Sequence, residues 1–310
     1  MNHWLHGMFT ALVTPFEGGR VDHASLERLV AWQIAQGTDG LVVCSAAGEF
    51  PTLTPEERRD VLATVRRAAG RHFPVVAACG TNATAATLAE IALAERVGAS
   101  AILLRMPYYS RPTQAGLIAH AAAAAQATTL EIVLDNDPDR CGVELSCETL
   151  EQLSGHANIV GILERRGDLS RCDRIARVRD RRFMRLTGAA DAIPSYFLAG
   201  GCGAVTAVGN LVPHWLFRLG SAMRSELYGQ AQMLQRRLAP VNAALVREPE
   251  PVLIKQALSL LHPGVRPDCR LPLTPAGEDA ARLMEEVIED FPRPPLAAAS
   301  GHRQAVGARA

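Results

Sequence analysis

The sequence predicts an α/β fold, a closed (β/α)8 TIM barrel followed by a C-terminal α-helical appendage. Three observations carry this expectation. Short apolar runs alternate eight times with longer amphipathic stretches over the first 224 residues. The runs are apolar on successive residues, which marks strands buried on both faces, as in a parallel sheet covered by helices. After residue 224 the strand pattern stops and only helical patterns continue. A doubly wound sheet is the main competitor, and it usually carries G-x-G-x-x-G after its first strand. The glycine cluster here, Gly200-Gly201-Cys202-Gly203, precedes a strand instead of opening a helix.

Taken in order, the apolar β-type runs are residues 8–13, 40–43, 75–78, 101–104, 132–134, 159–162, 184–187 and 204–205. Amphipathic helical patterns lie between and after them at 24–36, 55–69, 85–97, 114–126, 146–153, 169–178, 192–198 and 213–224. Eight such units suit a closed barrel, whose site would form where the strand C-termini meet the βα loops. Three further helical stretches, 226–246, 252–261 and 275–289, form the appendage. They are separated by Arg247-Glu248-Pro249-Glu250-Pro251 and by the Pro- and Gly-containing residues 262–273. The expected divisions are therefore a barrel over 1–224, an appendage over 225–291 and a disordered tail over 292–310, which has little to bury.

Composition narrows the function classes. A chain of 310 residues that is 48% hydrophobic buries roughly three quarters of its unfolded surface without needing disulfides. Seven cysteines without a C-x-x-C pair indicate neither a disulfide framework nor a zinc site, and fit a reducing cytoplasm. Formal net charge is zero, so no nucleic-acid partner is expected. No apolar run approaches the roughly 20 residues that span a bilayer, so no membrane partner is expected either. There is no G-x-S-x-G, H-E-x-x-H or P-loop. No cofactor or metal is expected.

Several strings occur in register with the predicted strands: Ala11-Leu12-Val13-Thr14-Pro15-Phe16, Gly48-Glu49, Gly80-Thr81-Asn82-Ala83-Thr84, Pro107-Tyr108-Tyr109, Pro138-Asp139-Arg140-Cys141-Gly142, Gly161-Ile162-Leu163-Glu164 and Gly167-Asp168-Leu169. With Glu248-Pro249-Glu250-Pro251 and Leu271-Pro272-Leu273-Thr274-Pro275, this set resembles the dihydrodipicolinate synthase/N-acetylneuraminate lyase family of barrel class I aldolases. The resemblance covers roughly residues 7 to 290. It implies a lysine at the end of strand six that forms a Schiff base with pyruvate, and a tyrosine at the end of strand five that relays protons. It also implies hydroxyls and amides after strand two that hold the substrate carboxylate.

The chain departs from that pattern at each point. Where the family has Ile-Lys-Glu, Ile162-Leu163-Glu164 stands, so the nucleophile is missing. Tyr-Asn-x-Pro reads Asp135-Asn136-Asp137-Pro138, and Gly-Thr-Thr-Gly-Glu reads Ser45-Ala46-Ala47-Gly48-Glu49. Lys255 is the only lysine in the chain and belongs by resemblance to the appendage. An arginine cannot substitute, because its guanidinium stays protonated and delocalised. What the resemblance retains is Tyr109, which in the family crosses into a neighbouring subunit's site, Arg140, which binds the second substrate's carboxylate, and the amides of Ala46 and Ala47.

Arg105, Arg165 and Arg166 are additional charges at the same rim. With Arg140, Ala46, Ala47 and Val205 they define a candidate ligand site for a small anionic or 2-oxo acid ligand, since an arginine fork binds carboxylate or phosphate in bidentate fashion. The opposing reading has these arginines pairing with Asp135, Asp137, Glu164 and Asp168 and closing the mouth. Three functions follow as expectations. The first is a family member without Schiff-base chemistry that binds an anion or is silent. The second is a lyase or hydratase using Asp135 and Tyr109 in acid/base catalysis, and the third is a residual lyase. The resemblance also implies a homodimer or homotetramer.

Overall fold

The computed structural model describes residues 4–177, 183–289 and 291. The expected tail, 292–310, and the end of the helical pattern at residue 178 lie outside the described residues. Eight parallel strands close on one another: β1 (Met8–Ala11), β2 (Gly40–Val43), β3 (Val75–Cys79), β4 (Ala101–Arg105), β5 (Glu131–Asn136), β6 (Ile159–Glu164), β7 (Met184–Thr187) and β8 (Gly203–Thr206). Closure is made by β1 pairing with both β8 and β2. Every predicted strand is present. The first is shorter than its apolar run, because residues 12–13 leave the sheet; β5 and β6 run on through polar residues that hydrophobicity alone does not flag.

The barrel is a packed core rather than a pore. Phe9, Ala11, Val42, Val76, Ala78, Leu103, Val133, Leu186 and Val205 form its interior cluster. The intervening residues, such as Leu41, Val43, Ile102, Leu104, Ile132, Leu134 and Ile162, face the surrounding helices. This period-two alternation explains why both faces are apolar. At Gly161 an added Cβ would meet the Met184 carbonyl oxygen at 2.7 Å, so β6 and β7 approach closely only because that residue lacks a side chain.

Helices α1 (His23–Ala35), α2 (Pro55–Ala69), α3 (Thr84–Val97) and α4 (Gln114–Gln126) cover the first half of the barrel. A short α5 (Pro138–Cys141), then α6 (Cys147–Leu153), α7 (Leu169–Ile175), α8 (Ile193–Leu198) and α9 (Pro213–Arg224) cover the rest. Their starts are chemically marked. Thr54 caps α2 in a capping box with Glu57, and Asp168 accepts from the amides of Ser170 and Arg171 at the start of α7.

The appendage consists of α10 (Tyr228–Leu245), α11 (Val252–Leu261) and α12 (Glu278–Ile288). Leu234, Leu238, Val241, Leu253, Leu258, Met284 and Ile288 share one core with Val208, Leu211, Leu216 and Leu219 of the barrel side. The appendage thus docks beside β8 and α9, at the end of the barrel that carries the strand C-termini. No helix among the described residues is long and apolar enough to cross a membrane.

Candidate functional site

The strand alternation places Arg105, Asp135 and Leu163 on the barrel's inner side at the C-terminal mouth. Leu163 is fully buried and belongs to the interior cluster together with Ala47, Leu186 and Val205. Its register partners are Asp135 on β5 and Leu186 on β7. A hydrocarbon therefore fills the end of β6, and the side chains of Ala47 and Val205 contribute to the same core.

Above it lies a buried ion pair. Arg165 Nε donates to Asp135 Oδ1 at 2.8 Å and Arg165 Nη2 to Asp135 Oδ2 at 2.9 Å, a bidentate fork. Asp135 is 2% exposed. Burial opposes the charge on Arg165, and the Asp135 carboxylate outweighs that effect and holds the guanidinium pKa above its ordinary value. Gly188 makes the path possible, since a Cβ there would meet Arg165 Cδ at 2.7 Å.

The neighbouring charges are also taken. Arg140 reaches Asp137 at 3.4 Å and Glu250 of the appendage at 3.4 Å. Arg166 pairs with Asp139 at 2.5 Å, both largely exposed, where such contacts contribute only about 0–1 kcal/mol. Burial raises the Asp137 pKa above the usual carboxylate value, against the pull of Arg165 and Arg140. Glu164, raised by burial, is held by Arg171 Nε at 2.9 Å and by Asn136.

Arg105 differs from the other three. It is 9% exposed, and no carboxylate lies within 4.0 Å of it among the described residues. Its guanidinium stacks on Phe50, 4.3 Å from the ring centroid, and donates to the carbonyls of Gly80 at 3.0 Å and Cys44 at 3.4 Å. The Cys44 carbonyl opens the loop that carries Ser45, Ala46 and Ala47. Among the described residues, the Ala46 and Ala47 amides donate to no acceptor, and the buried Ser45 hydroxyl has no partner. Burial pushes the Cys44 thiol up to about 12, which leaves it protonated and unsuited to nucleophilic attack.

That loop is anchored from the appendage. Glu49, in a left-handed conformation (φ 52°), meets Lys255 Nζ at 2.5 Å, with side chains 0% and 1% exposed. Lys255 also donates to the Asp268 carbonyl at 2.8 Å and lies over Phe16. Burial lowers the Lys255 pKa from the ordinary amine value while the Glu49 carboxylate works against that shift. Tyr109 sits elsewhere, 89% exposed and with φ 69°. It is no part of the buried cluster in the single chain.

The structure also shows a cavity of about 740 Å³ between the β7–β8 end of the barrel and helices α10 and α11. Of the residues singled out from sequence, Arg165, Arg166 and the string Glu248-Pro249-Glu250-Pro251 line it. Asp191, Thr206 and Asn242 line it too and were not identified from sequence. They come from segments far apart in the chain, and only the packing of the appendage brings them together. Among the described residues, no three His, Cys, Asp or Glu side chains are grouped to hold a metal ion.

Comparison with known proteins agrees with this architecture. Residues 4–291 match the Dihydrodipicolinate synthetase family. The chain is 37% identical over 284 residues to a 4-hydroxy-tetrahydrodipicolinate synthase of Acidiphilium cryptum, covering 91% of this chain and 97% of that protein. A relative of the same name from Thermotoga neapolitana is 35% identical over 288 residues, covering 92% of this chain and 98% of the relative. Among solved structures, dihydrodipicolinate synthase from Thermotoga maritima superposes with a TM-score of 0.90 at 34% identity, covering 93% of this chain and 99% of that one. The Aquifex aeolicus enzyme gives 0.90 at 30% identity, covering 93% and 98%. With its closed barrel, its helical appendage and this match over nearly its whole length, the chain belongs to the dihydrodipicolinate synthetase family.

Proposed function

We propose that this chain is a family member that has given up Schiff-base aldolase chemistry and uses the barrel mouth to hold a small carboxylate or similar anion. The observation that carries the first half is the state of the two residues concerned. Leu163 is a fully buried hydrocarbon at the end of β6, and the sole amine side chain, Lys255, is buried against Glu49. Imine formation needs a neutral amine that reaches the substrate carbonyl, and neither residue supplies one. The relatives are named as synthases; the reading sets this chain apart from them by its site chemistry, not by its fold.

The anion half rests on Arg105. Arg140, Arg165 and Arg166 already face internal carboxylates, so a ligand would have to break those pairs to use them. A buried guanidinium with no carboxylate within 4.0 Å among the described residues, hydrogen-bonded to the loop that carries the unused amides of Ala46 and Ala47, favours an anion instead. The acid/base alternative is weaker, because both oxygens of Asp135 are engaged by Arg165. The reading includes self-association, with the exposed, positive-φ Tyr109 covered by a second copy.

Two measurements test it. Incubation with pyruvate and borohydride is expected to give no mass increase on the intact chain, and a pyruvyl adduct mapped to Lys255 would overturn the first half. Calorimetry with acetate, pyruvate and phosphate is expected to show saturable binding that Arg105→Met abolishes and Arg140→Ala preserves. Saturable binding that survives Arg105→Met, or none up to about 10 mM, an affinity weaker than roughly −3 kcal/mol, would overturn the second half.

A further inference from the structure

The turn that carries the unused amides of Ala46 and Ala47 is held from outside the barrel. Within it, Gly48 N donates to the Ser45 carbonyl at 3.1 Å and Glu49 N to the Ala46 carbonyl at 3.0 Å, and Thr14 Oγ1 donates to the Gly48 carbonyl at 2.8 Å. The Glu49 side chain then leaves the turn and enters the appendage. One of its oxygens meets Lys255 Nζ at 2.5 Å, and the other accepts from the Arg270 amide at 2.9 Å. Lys255 is fixed in its place by the Asp268 carbonyl, and Lys255 and Arg270 both lie over the Phe16 ring, 4.1 and 4.4 Å from its centroid. The Arg270 guanidinium continues to Glu57 of α2 at 2.7 Å and to the Thr52 carbonyl at 2.9 Å.

Two features say that this strut does more than fill space. Glu49 has φ 52° and ψ 38°, a left-handed conformation that a residue with a Cβ keeps only where its surroundings dictate it, and such strain gathers at ligand clamps. A buried ion pair is seldom the most stable filling of its space, because both charges are desolvated; here the charge has a geometric use. An ionised carboxylate only accepts, so it serves the Lys255 ammonium and the Arg270 N–H at once. Lys255 supplies the countercharge that a carboxylate only 2% exposed needs.

We infer that Lys255, the one lysine of the chain, is a positioning residue for the anion site at the barrel mouth. Through Glu49 it sets the conformation of residues 45–49, and with it the direction of the Ala46 and Ala47 N–H groups; it touches no ligand itself. The appendage thereby controls the affinity of the mouth. This role rests on the anion reading above and deepens it.

The test uses the double variant Glu49→Gln/Lys255→Met, which removes both charges and strands neither, with Leu258→Ala as the control. Leu258 is fully buried on the same helix, α11, within the appendage core, so its truncation lowers stability and leaves the ion pair in place. Acetate is titrated by calorimetry, and hydrogen exchange is followed on the peptide containing residues 45–50, in full-length protein shown by circular dichroism to be folded. The double variant is expected to bind acetate at least about tenfold more weakly, a difference of about 1.4 kcal/mol, and to exchange faster at 45–50. Leu258→Ala should stay within about twofold of the wild-type affinity, less than about 0.5 kcal/mol. A merely structural pair would change stability and leave the affinity where it was. Acetate binding that survives undiminished in the folded double variant, or an equal loss in Leu258→Ala, would overturn the role of Lys255 and leave the anion reading standing. No acetate binding by the wild type up to about 10 mM would overturn both together.

Discussion

Replacing Leu163 by alanine asks whether the end of β6 has become core or still borders an open site. The side chain is 0% exposed and shares the interior cluster with Ala47, Val133, Leu186 and Val205. Removing Cγ and both Cδ carbons forfeits about 2.4 kcal/mol at about 0.8 kcal/mol per buried group. The incompletely filled cavity carries the expected total to about 2.7–5.0 kcal/mol. Against a typical stability of about 5–15 kcal/mol, that is a large fraction. With a slope of about 3 kcal/mol/M, the urea midpoint should fall by about 1 M or more. Equilibrium unfolding followed by circular dichroism and by tryptophan fluorescence measures the loss and checks that the transition stays two-state. If Leu163 instead lines a hydrated site, the loss is the surface value of about 0.5 kcal/mol or less. A loss below about 1 kcal/mol would sink the reasoning that the nucleophile position is now packing.

Further predictions concern charge and assembly. Lys255→Met should destabilise by about 3–5 kcal/mol, because it strands the buried Glu49 carboxylate, and adding Glu49→Gln should restore part of that loss; a double variant no better than the single one contradicts the pairing. Arg165→Met and Asp135→Asn should each cost about 3–5 kcal/mol by leaving one buried charge alone, and the double variant should lose much less than their sum. Burial raises the Asp39 pKa above the usual carboxylate value, opposed by the Met8 amide and Arg224, so its stabilising contribution is present below the ordinary carboxylate pKa and is lost as pH rises through the raised one. Asp39→Asn should therefore compare more favourably with the wild type at pH 7 than at acid pH, and urea titrations giving the opposite slope refute that assignment. Light scattering at micromolar concentration should show at least a dimer, and Tyr109→Asp should shift it toward monomer.

Much of the fold was legible because the barrel repeats one pattern. Runs such as Ala101–Arg105 and Val75–Cys79 are buried at every position, and consecutive apolar residues signal that directly. The ends were less legible. Asp135, Asn136 and Glu164 extend β5 and β6 into the mouth, and polar residues at a strand end look like loop until their partners are known. Helix starts at Pro55 and Pro213 were read correctly because proline fixes the first turn. The four-residue helix Pro138–Cys141 is too short to show a period. In the mouth, sequence placed Arg105, Asp135, Leu163 and Arg165 together. It left open which arginine takes which carboxylate, since that depends on side-chain reach across adjacent strands. The cavity that contains Thr206 and Asn242 had no sequence signal, because its walls belong to two separately patterned parts of the chain.

The pairing in the mouth links the individual replacements. A carboxylate at residue 135, facing the barrel interior, would be an isolated buried charge, and a buried ion without a partner costs several kcal/mol. Arg165 removes that penalty with a bidentate fork, and the absence of a side chain at Gly188 gives it the room to do so. Leu163 then lies beneath a closed ion pair instead of facing solvent, so its hydrocarbon is matched to its surroundings. A lysine placed there would compete with Arg165 for Asp135 and would be held protonated by it, which is the wrong state for attack on a carbonyl. Restoring the amine alone therefore does not restore an imine-forming site. The carboxylate and its arginine would have to change as well.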